Sequence, residues 1–335
     1  MEADFLLSLR FGCTKIILVG DPLQLPPCVL SDAGKNYGLS QSLYARIYSI
    51  FDQYPNGPIS MLDTQYRMHP SICQFPSTHF YSDRLLTDKS VAKKMKHFSL
   101  KPLFLYNLTG AHQTCDDAGS SKNEDEARFI QKFCGMLIEH LAYQQTVVTT
   151  DSEEDDDSEN NDNDDDDDDD DSDDGDDESS TASLSNFSKV NKNDCDSEYE
   201  DQEEGPALRP LPIDDPRSIK IQQRIAIITP YKAQVRLLRS YLPPYIEIMT
   251  VDSSQGKEKD IVIVSCVRSG GTIGFLNDMN RLNVMLTRSK NALYIVGNFN
   301  QLASQDKSWD ALVKHAQRNK IICDTNEFSC DLPYC

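Results

Sequence analysis

The side chains best suited to chemistry lie in the connections within residues 250–297. Two apolar runs occur in this stretch, and the polar loop before the first run and the basic segment before the second hold four notable residues: Gln255, Glu258, Arg281 and Arg288. A guanidinium group can offer two parallel hydrogen bonds to a phosphate or a carboxylate. The core of an α/β domain explains the apolar runs, but it gives no reason for these four residues to crowd the connections.

A second candidate pair, Tyr66 and Arg67, stands side by side in the sequence QYRMHP at residues 65–70. A phenol ring offers a flat apolar face to a nucleobase, and the neighbouring guanidinium can bind phosphate oxygens. A half-buried tyrosine beside an exposed arginine is also common on any protein surface. The pair alone therefore does not decide the function.

Short apolar runs bounded by Gly, Pro and polar turns predict the elements that position these residues. We expect buried strands at residues 14–19, 103–108, 224–229, 246–251, 261–267 and 292–296. Apolar positions at helical spacing predict helices at residues 38–54, 71–81, 123–143, 231–241, 280–290 and 309–317. Strands that alternate with helices favour a parallel sheet. Ligands of such sheets bind outside the carboxyl ends of the strands, where we expect the loop 252–259.

Five stretches, in this order along the chain, resemble motifs of superfamily 1 helicases. They are VGDPLQLPP at 19–27, QYRMHP at 65–70, TPYKAQ at 229–234, TVDSSQGKEKDIVIVSCVR at 250–268 and GFLNDMNRLNVMLTRSK at 274–290. Within that superfamily they resemble the branch that holds senataxin and the nonsense-mediated-decay RNA helicase. One such match is weak, whereas five in the correct order are highly specific.

The resemblance implies an α/β fold of the RecA-like P-loop NTPase type, with a parallel sheet and helices on both faces. It also implies that Gln24, Arg67 and Arg288 are catalytic residues that address the γ-phosphate of ATP. Arginines suit this role because the transition state spreads charge over the transferred phosphoryl group, and an arginine finger accelerates hydrolysis by roughly 10³–10⁵.

The other functional positions follow from the resemblance in the same way. Tyr66 is expected to stack on adenine, Glu258 to accept hydrogen bonds from the ribose hydroxyls, and Gly256 to belong to the same cofactor-binding loop. Thr250 and Ser253 are expected to contact phosphates of a bound nucleic-acid strand.

One departure from the family pattern concerns the phosphate cradle. No GxxxxGK[ST] sequence occurs, and no Asp-Glu pair follows an apolar run before Gly20. We therefore expect the chain to be the C-terminal part of an ATP-dependent helicase and to be inactive alone. The ligands of Mg²⁺ are expected in a missing N-terminal part, and no metal site is expected here. The alternative is a catalytically inactive module that binds nucleic acid or basic proteins and regulates a longer relative.

The charge of the chain is divided unevenly. The net charge is −21, but residues 151–204 hold 28 Asp and Glu against two Lys, which leaves the remainder at about +5. Such acid density cannot bury a core and repels itself, so we expect disorder there. A solvated spacer is the default interpretation. Mimicry of nucleic acid is a sharper alternative, in which the segment occupies the basic groove of its own protein or binds basic partner proteins.

Five segments make up the domain organisation that we predict. They are a remnant of a first RecA-like domain at 1–57, a second RecA-like domain at 58–145 and 218–323, a disordered acidic insert at 146–217, and a tail at 324–335. The mildly basic remainder and the motifs predict single-stranded RNA or DNA, or RNA:DNA hybrids, as partners of a monomer. The chain shows no secretory leader, no long apolar span and no CxxC pair among its ten cysteines. We expect no membrane contact and a nuclear location, with the cytoplasm as the alternative.

Overall fold

The computed structural model describes residues 2–29, 31–54, 57–95, 98–151, 212, 214–325 and 331–334. The described residues up to 145 and from 212 onward form one compact unit. Most of the predicted acidic insert lies outside the described residues, as does half of the predicted tail. The predicted boundary at residue 57 stays a prediction.

The described helices lie between Glu2 and Arg318. The α-helices are α1 Glu2–Leu9, α2 Asp32–Asn36, α3 Leu43–Phe51, α4 Pro70–Phe80, α5 Lys89–Lys94, α6 Glu124–Asp151, α7 Pro216–Gln223, α8 Lys232–Tyr241, α9 Met279–Leu286, α10 Phe299–Gln305 and α11 Lys307–Arg318. Two short 3₁₀ helices span Asp252–Ser254 and Gly274–Asn277. No helix within the described ranges is both long and apolar enough to cross a membrane.

Where the structure describes the chain, ten strands form one large sheet and two small ones. The strands are β1 Thr64–Gln65, β2 Leu86–Thr87, β3 Leu103–Leu108, β4 Gln113–Cys115, β5 Ser121–Asn123, β6 Ile225–Thr229, β7 Glu247–Thr250, β8 Lys259–Ser265, β9 Ser289–Gly297 and β10 Ile322–Thr325. The large sheet has six strands in the order β10-β3-β9-β8-β6-β7. Every neighbouring pair in it is parallel, which confirms the predicted α/β class.

The large sheet is buried on both faces, because its central strands contain runs of consecutive apolar residues that point to the two faces in turn. Val262 and Val264 of β8 belong to one core cluster, together with residues of α4, α9, α10 and α11. Ile261 and Ile263 of the same strand belong to a second cluster, together with residues of α6 and α8. Side chains alternate between the two faces of a strand, so these clusters cover opposite faces. The prediction of helices on both faces is confirmed.

The predicted strand at residues 14–19 is wrong. That segment has no regular secondary structure, and Val19 is 87% exposed. An apolar run becomes a strand only when a neighbour supplies hydrogen bonds, and the described sheet offers this segment none.

The predicted helix at residues 280–290 ends at Leu286 instead. The Asp278 carboxylate starts this helix by accepting from the backbone N–H groups of Asn280 and Arg281. The helix ends at Leu286 because Ser289, the first residue of β9, pairs with Lys259 of β8. Pairing with the sheet therefore prevails over further helix, and Arg288 lies in the turn between them.

Candidate functional site

Two predicted site residues lie at the amino-terminal edge of the large sheet. Lys259 and Ser289 open β8 and β9 and pair in register, so Glu258 and Arg288 precede them at the same edge. The loop after β7 starts at the carboxyl edge and must return, since the two strands run in the same direction. The loop 252–259 therefore emerges at the carboxyl edge, as expected, but its last residues lie at the amino edge.

Arg67 reaches this edge from a distant part of the chain. Its Nε donates to Glu258 Oε2 at 2.6 Å, and its Nη1 donates to the Thr287 carbonyl at 3.1 Å. Lys290 Nζ lies 3.0 Å from the other carboxylate oxygen of Glu258. Hydrogen bonds from Lys290 and Arg67 hold the pKa of Glu258 below its usual value, so this carboxylate is ionised at neutral pH.

The backbone around Arg67 is fixed by the Gln65 side chain. Gln65 Oε1 accepts from the backbone N–H groups of Arg67 at 2.8 Å and Met68 at 2.7 Å. Its Nε2 donates to the Met68 carbonyl at 2.8 Å and to Thr87 Oγ1 at 2.6 Å. One amide thereby closes the turn on itself and ties it to β2, which holds the start of the Arg67 side chain in place.

Arg288 is almost completely buried, with 3% of its surface exposed. Its Nε donates to the Val284 carbonyl at 3.1 Å, and its Nη2 donates to Thr287 Oγ1 at 2.9 Å and to Gln24 Oε1 at 3.3 Å. Burial, and next the positive charge of Arg67, lower the pKa of Arg288 to about 10. The guanidinium is therefore still charged at neutral pH, although its surroundings disfavour the charge.

Gln24 is held against α9 by a chain of polar contacts. Its Nε2 donates to Asp21 Oδ2 at 2.8 Å, and the same oxygen accepts from the Tyr81 hydroxyl at 2.7 Å. Asn283 Nδ2 donates to the Tyr81 hydroxyl at 2.8 Å and to the Leu23 carbonyl at 2.9 Å. Burial raises the pKa of Tyr81 well above its ordinary value, so its hydroxyl stays a donor. Residues 21–24 are thus fastened to the helix that leads into Arg288.

Tyr66 stands at the mouth of a cleft of about 530 Å³ with 69% of its surface exposed. No aromatic ring in the described part of the chain stacks on it. The cleft is lined by Tyr66, Arg67, Val91, Lys94, Met95, Glu258, Lys290 and Asn291. Its size is within the range of small-ligand sites, and three cations and one carboxylate face it.

Gly256 is placed in the loop that precedes Glu258. Its φ of +77° lies in the left-handed region, and a Cβ there would meet nothing within 4 Å. Lys257 N donates to the Ser254 carbonyl at 3.0 Å, which closes a turn around this glycine. A residue with a Cβ would be strained here, so the glycine serves the turn that brings Glu258 to the cleft.

Thr250 and Ser253 lie apart from these residues, at the carboxyl edge of the sheet. The backbone N–H of Thr250 donates to Ser253 Oγ at 3.0 Å, and both residues line a groove of about 620 Å³. Arg281 nearby forms ion pairs with Asp252 at 3.2 Å and with Asp278 at 3.1 Å.

The structure therefore brings the predicted catalytic residues and Glu258 together, and it separates them from the predicted nucleic-acid contacts. It brings together Gln24, Arg67, Glu258 and Arg288, while Thr250 and Ser253 lie at the opposite edge. Sequence reasoning missed three residues of the first cluster, Lys290, Gln65 and Asp21. All three fall inside the quoted motifs, and only their residue types could have pointed to them.

Comparison with known proteins places the chain among helicases. A family model described as an AAA domain matches residues 39–153 and 177–300, and a second model with the same description matches residues 1–32. A probable helicase of Dictyostelium discoideum is 32% identical over 330 residues, which are 96% of this chain and 26% of that protein.

Two further relatives point to the same group. The probable helicase senataxin of Homo sapiens is 30% identical over 345 residues, covering 97% of this chain and 10% of that protein. Regulator of nonsense transcripts 1 of Dictyostelium discoideum is 29% identical over 341 residues, covering 96% of this chain and 19% of that protein. The chain thus spans between a tenth and about a quarter of the length of these relatives.

Proposed function

Since this chain belongs to the AAA-domain family and is a portion of a superfamily 1 helicase of the senataxin and nonsense-decay branch, with a RecA-like fold, we propose that it forms the second lobe of an ATP-dependent motor. In this proposal, a nucleotide occupies the cleft beside Tyr66, and its γ-phosphate lies against Arg67 and Arg288. The motor steps along single-stranded RNA or DNA and separates RNA or RNA:DNA duplexes.

The observation that carries this proposal is that the side chains of Arg67 and Arg288 lie close together, although these residues are more than 200 positions apart in sequence. Arg67 donates to the carbonyl of Thr287, the residue immediately before Arg288. Like charges repel, and the Arg67 charge is one cause of the lowered pKa of Arg288. An anion between or beside the two groups removes that penalty, and the transferred phosphoryl of ATP supplies such charge in the transition state.

Gln24 and Glu258 fit the same ligand. The Gln24 amide touches Arg288 and can donate to a phosphate oxygen or accept from a water, which links segment 21–24 to the nucleotide state. The ionised Glu258 carboxylate accepts hydrogen bonds, as ribose hydroxyls require, and it faces the cleft next to Tyr66. Gly256 gives the preceding turn the conformation that this position needs.

The residues around the cleft fit a nucleotide. Within the described residues, no group of three or more His, Cys, Asp or Glu side chains could hold a metal ion. We assign no step to Mg²⁺ here, and the family's Mg²⁺ ligands would belong to residues outside this chain. Because no GxxxxGK[ST] sequence is present, the chain alone is proposed to bind ATP weakly and not to hydrolyse it.

Several finer features complete the proposal. Thr250 and Ser253 contact phosphates of the bound strand at the carboxyl edge. Residues 1–57 belong to a first RecA-like lobe, and residues 58–145 and 218–323 form the second. The protein acts as a nuclear monomer in RNA processing or transcription termination, and residues 151–204 bind basic proteins.

Nucleotide binding by the purified chain tests the proposal. Arg67 is proposed to contact the nucleotide only at its terminal phosphate, so Arg67→Ala should reduce the preference for ATP over ADP, while Arg288 still binds that phosphate. Tyr66 stacks on the base, so Tyr66→Ala should weaken both nucleotides equally, by roughly tenfold for the loss of one good stacking contact. Ligand-observed NMR titrations with ATP and ADP measure both effects.

Arg318→Ala is the matched control, since it removes one exposed arginine on α11. It should leave both affinities unchanged. Equal effects of Arg67→Ala and Arg318→Ala would contradict the γ-phosphate role. Steady ATP turnover by the wild-type chain would contradict its inactivity alone.

A further inference from the structure

The turn that follows β8 is strained. Val267 has φ +70°, in the left-handed region that β-branched residues avoid. Such a conformation persists only when the surrounding structure imposes it, and it often marks a functional position. The Asn123 side chain binds the carbonyl of this residue, and the Glu126 carboxylate binds its N–H.

Four completely buried polar side chains hold the turn, and we call them the buried cluster: Asn123, Glu126, Gln234 and Ser265. Both Glu126 carboxylate oxygens accept from the Val267 N–H at 2.9 Å, and Oε2 also accepts from Ser265 Oγ at 2.6 Å. Asn123 Nδ2 donates to the Val267 carbonyl at 3.1 Å.

The same cluster joins four elements, β5, α6, α8 and β8. Gln234 of α8 accepts from the Asn123 N–H at 2.8 Å through Oε1, and its Nε2 donates to the Asn123 carbonyl and to Ser265 Oγ, both at 3.1 Å. Glu126 lies in the first turn of α6, and Ser265 ends β8. Side chains of α6 and α8, which pack on this face of the sheet, therefore fix the backbone at the end of β8.

Arg268, the next residue, is half-buried and held by an aromatic ring. Its guanidinium carbon lies 5.1 Å from the centre of the Tyr231 ring, and its Nε donates to the Tyr231 hydroxyl at 2.7 Å. Ser269 is fixed as well, since it accepts from the Gln113 N–H at 2.8 Å and donates to Gln113 Oε1 at 3.2 Å. The Tyr231 ring and hydroxyl thus set the direction of the Arg268 side chain.

Arg268 differs from its neighbour Arg281 in its charged partners. Among the described residues, no carboxylate pairs with it, whereas Arg281 nearby pairs with both Asp252 and Asp278. Strand β6 lies between β8 and β7, so Arg268 and Thr250 stand at the same carboxyl edge on either side of Tyr231. A half-buried, oriented guanidinium without a carboxylate suits an external anion.

We propose that the buried cluster is a positioning device that fixes the strained exit of β8 and presents Arg268 to a backbone phosphate of single-stranded nucleic acid. Arg268 has this role only if the chain binds such a strand, as the proposed function holds. A phosphate contact is blind to sequence and is shared by RNA and DNA, so oligonucleotides of both kinds should report the same loss.

Salt-dependent binding tests the role of Arg268. Fluorescence anisotropy of the full chain with a labelled oligouridine and a labelled oligothymidine gives the affinity and its salt slope. Arg268→Ala should weaken both by roughly tenfold and reduce the slope by about 0.7, the value for one contact to a single-stranded phosphate. Arg268→Lys should keep the slope, because it keeps the charge.

Arg318→Ala removes the same charge from a remote surface and serves as the control. If Arg268→Ala and Arg318→Ala bind alike while the wild-type chain binds well, the role of Arg268 is overturned and the proposed function stands. If the wild-type chain binds neither oligonucleotide, both fail together. A loss for RNA alone would replace the phosphate contact with recognition of the 2′-hydroxyl.

Substitutions of Glu126 test the positioning device. Glu126→Gln keeps an acceptor for the Val267 N–H and a group that can bond Ser265, so binding should stay within about twofold of wild type. Glu126→Asp shortens the side chain and removes that reach, so the protein should bind as Arg268→Ala does. Hydrogen exchange of the Val267 amide should rise only in Glu126→Asp.

Hydrogen exchange needs no bound strand, so it separates the device from the proposed function. A Glu126→Asp chain that keeps its circular dichroism, its Val267 protection and its affinity would overturn the proposal. Glu126→Ala provides the same comparison with a full truncation. Weakened binding with unchanged protection would also overturn it, since Arg268 would then not depend on the turn.

Discussion

The Glu126 carboxyl group combines complete burial with an unusual titration. Burial raises the pKa of Glu126 to about 7, against the opposing effect of the hydrogen bonds from Ser265 and Val267, while the Asp125 charge raises it slightly further. Its value in an unfolded chain is about 4.3. Between these two values the folded chain binds more protons than the unfolded chain, so the free energy of unfolding falls as the pH rises through this range.

Glu126→Gln should therefore remove part of the pH dependence of stability. From pH 5 to pH 8 the wild-type chain should lose about 3 kcal/mol more than Glu126→Gln, at roughly 1.4 kcal/mol for each pH unit between the two pKa values. Urea denaturation at both pH values measures the difference. Histidine titrations act on both proteins alike and cancel.

Glu139→Gln is the control, because Glu139 is an exposed residue of the same helix. It should follow the wild-type profile. Parallel profiles for wild type and Glu126→Gln would show that the buried carboxyl does not titrate in this range.

Side-chain amides of helix α9 hold segment 21–24 against the helix. Asn283 Nδ2 holds the Leu23 carbonyl and the Tyr81 hydroxyl, and Asn280 Nδ2 holds the Gln24 carbonyl at 2.9 Å. Asn283 is completely buried, whereas Asn280 is half-buried. The attachment of Gln24 to Arg288 depends on these bonds, since the segment has no regular secondary structure of its own.

Asn283→Ala should release the segment. Loss of two buried hydrogen bonds should lower the free energy of unfolding by about 1–3 kcal/mol, and hydrogen exchange at residues 21–24 should rise. Asn280→Ala removes one bond at a more exposed position, so its effects should be smaller in both measurements. Equal exchange in the wild-type and Asn283→Ala proteins would mean that apolar packing of Leu23 and Leu25 alone holds the segment.

At the scale of the whole molecule, the sheet could be predicted because its strands are apolar on both faces. Runs such as 261–267 need no knowledge of their neighbours to be recognised as buried strands. The segment 14–19 has the same composition, yet it is exposed, because strand formation depends on a partner elsewhere. The end of α9 depends likewise on the pairing of Ser289 with Lys259.

The candidate site was predictable only in its motif residues. Resemblance named Arg67, Glu258 and Arg288, but no local pattern indicated that their cluster lies at the amino edge. The hydrogen bond that ties Gln65 to Thr87, and those that hold the strained Val267, join residues far apart in sequence. Such contacts follow from the tertiary fold and leave no periodic signal in the chain.

The division of charge along the chain leads to a test on the intact molecule. Residues 151–204 carry a net charge of −26, while the remainder carries about +5. An acidic segment on the same chain acts as a competitor of high effective concentration for any basic groove. It also replaces part of the counterion release that drives nucleic-acid binding.

Deletion of residues 151–204 should therefore tighten the binding of single-stranded RNA at low salt by about tenfold or more and steepen its salt slope. Anisotropy titrations at roughly 50–200 mM salt measure the affinity and its salt slope, because such binding falls by orders of magnitude over this range. A variant with Asn and Gln in place of every Asp and Glu of this segment keeps the length and removes the charge, so it should match the deletion. If it matches the wild-type chain instead, the segment acts through its length, and competition by its charge is excluded.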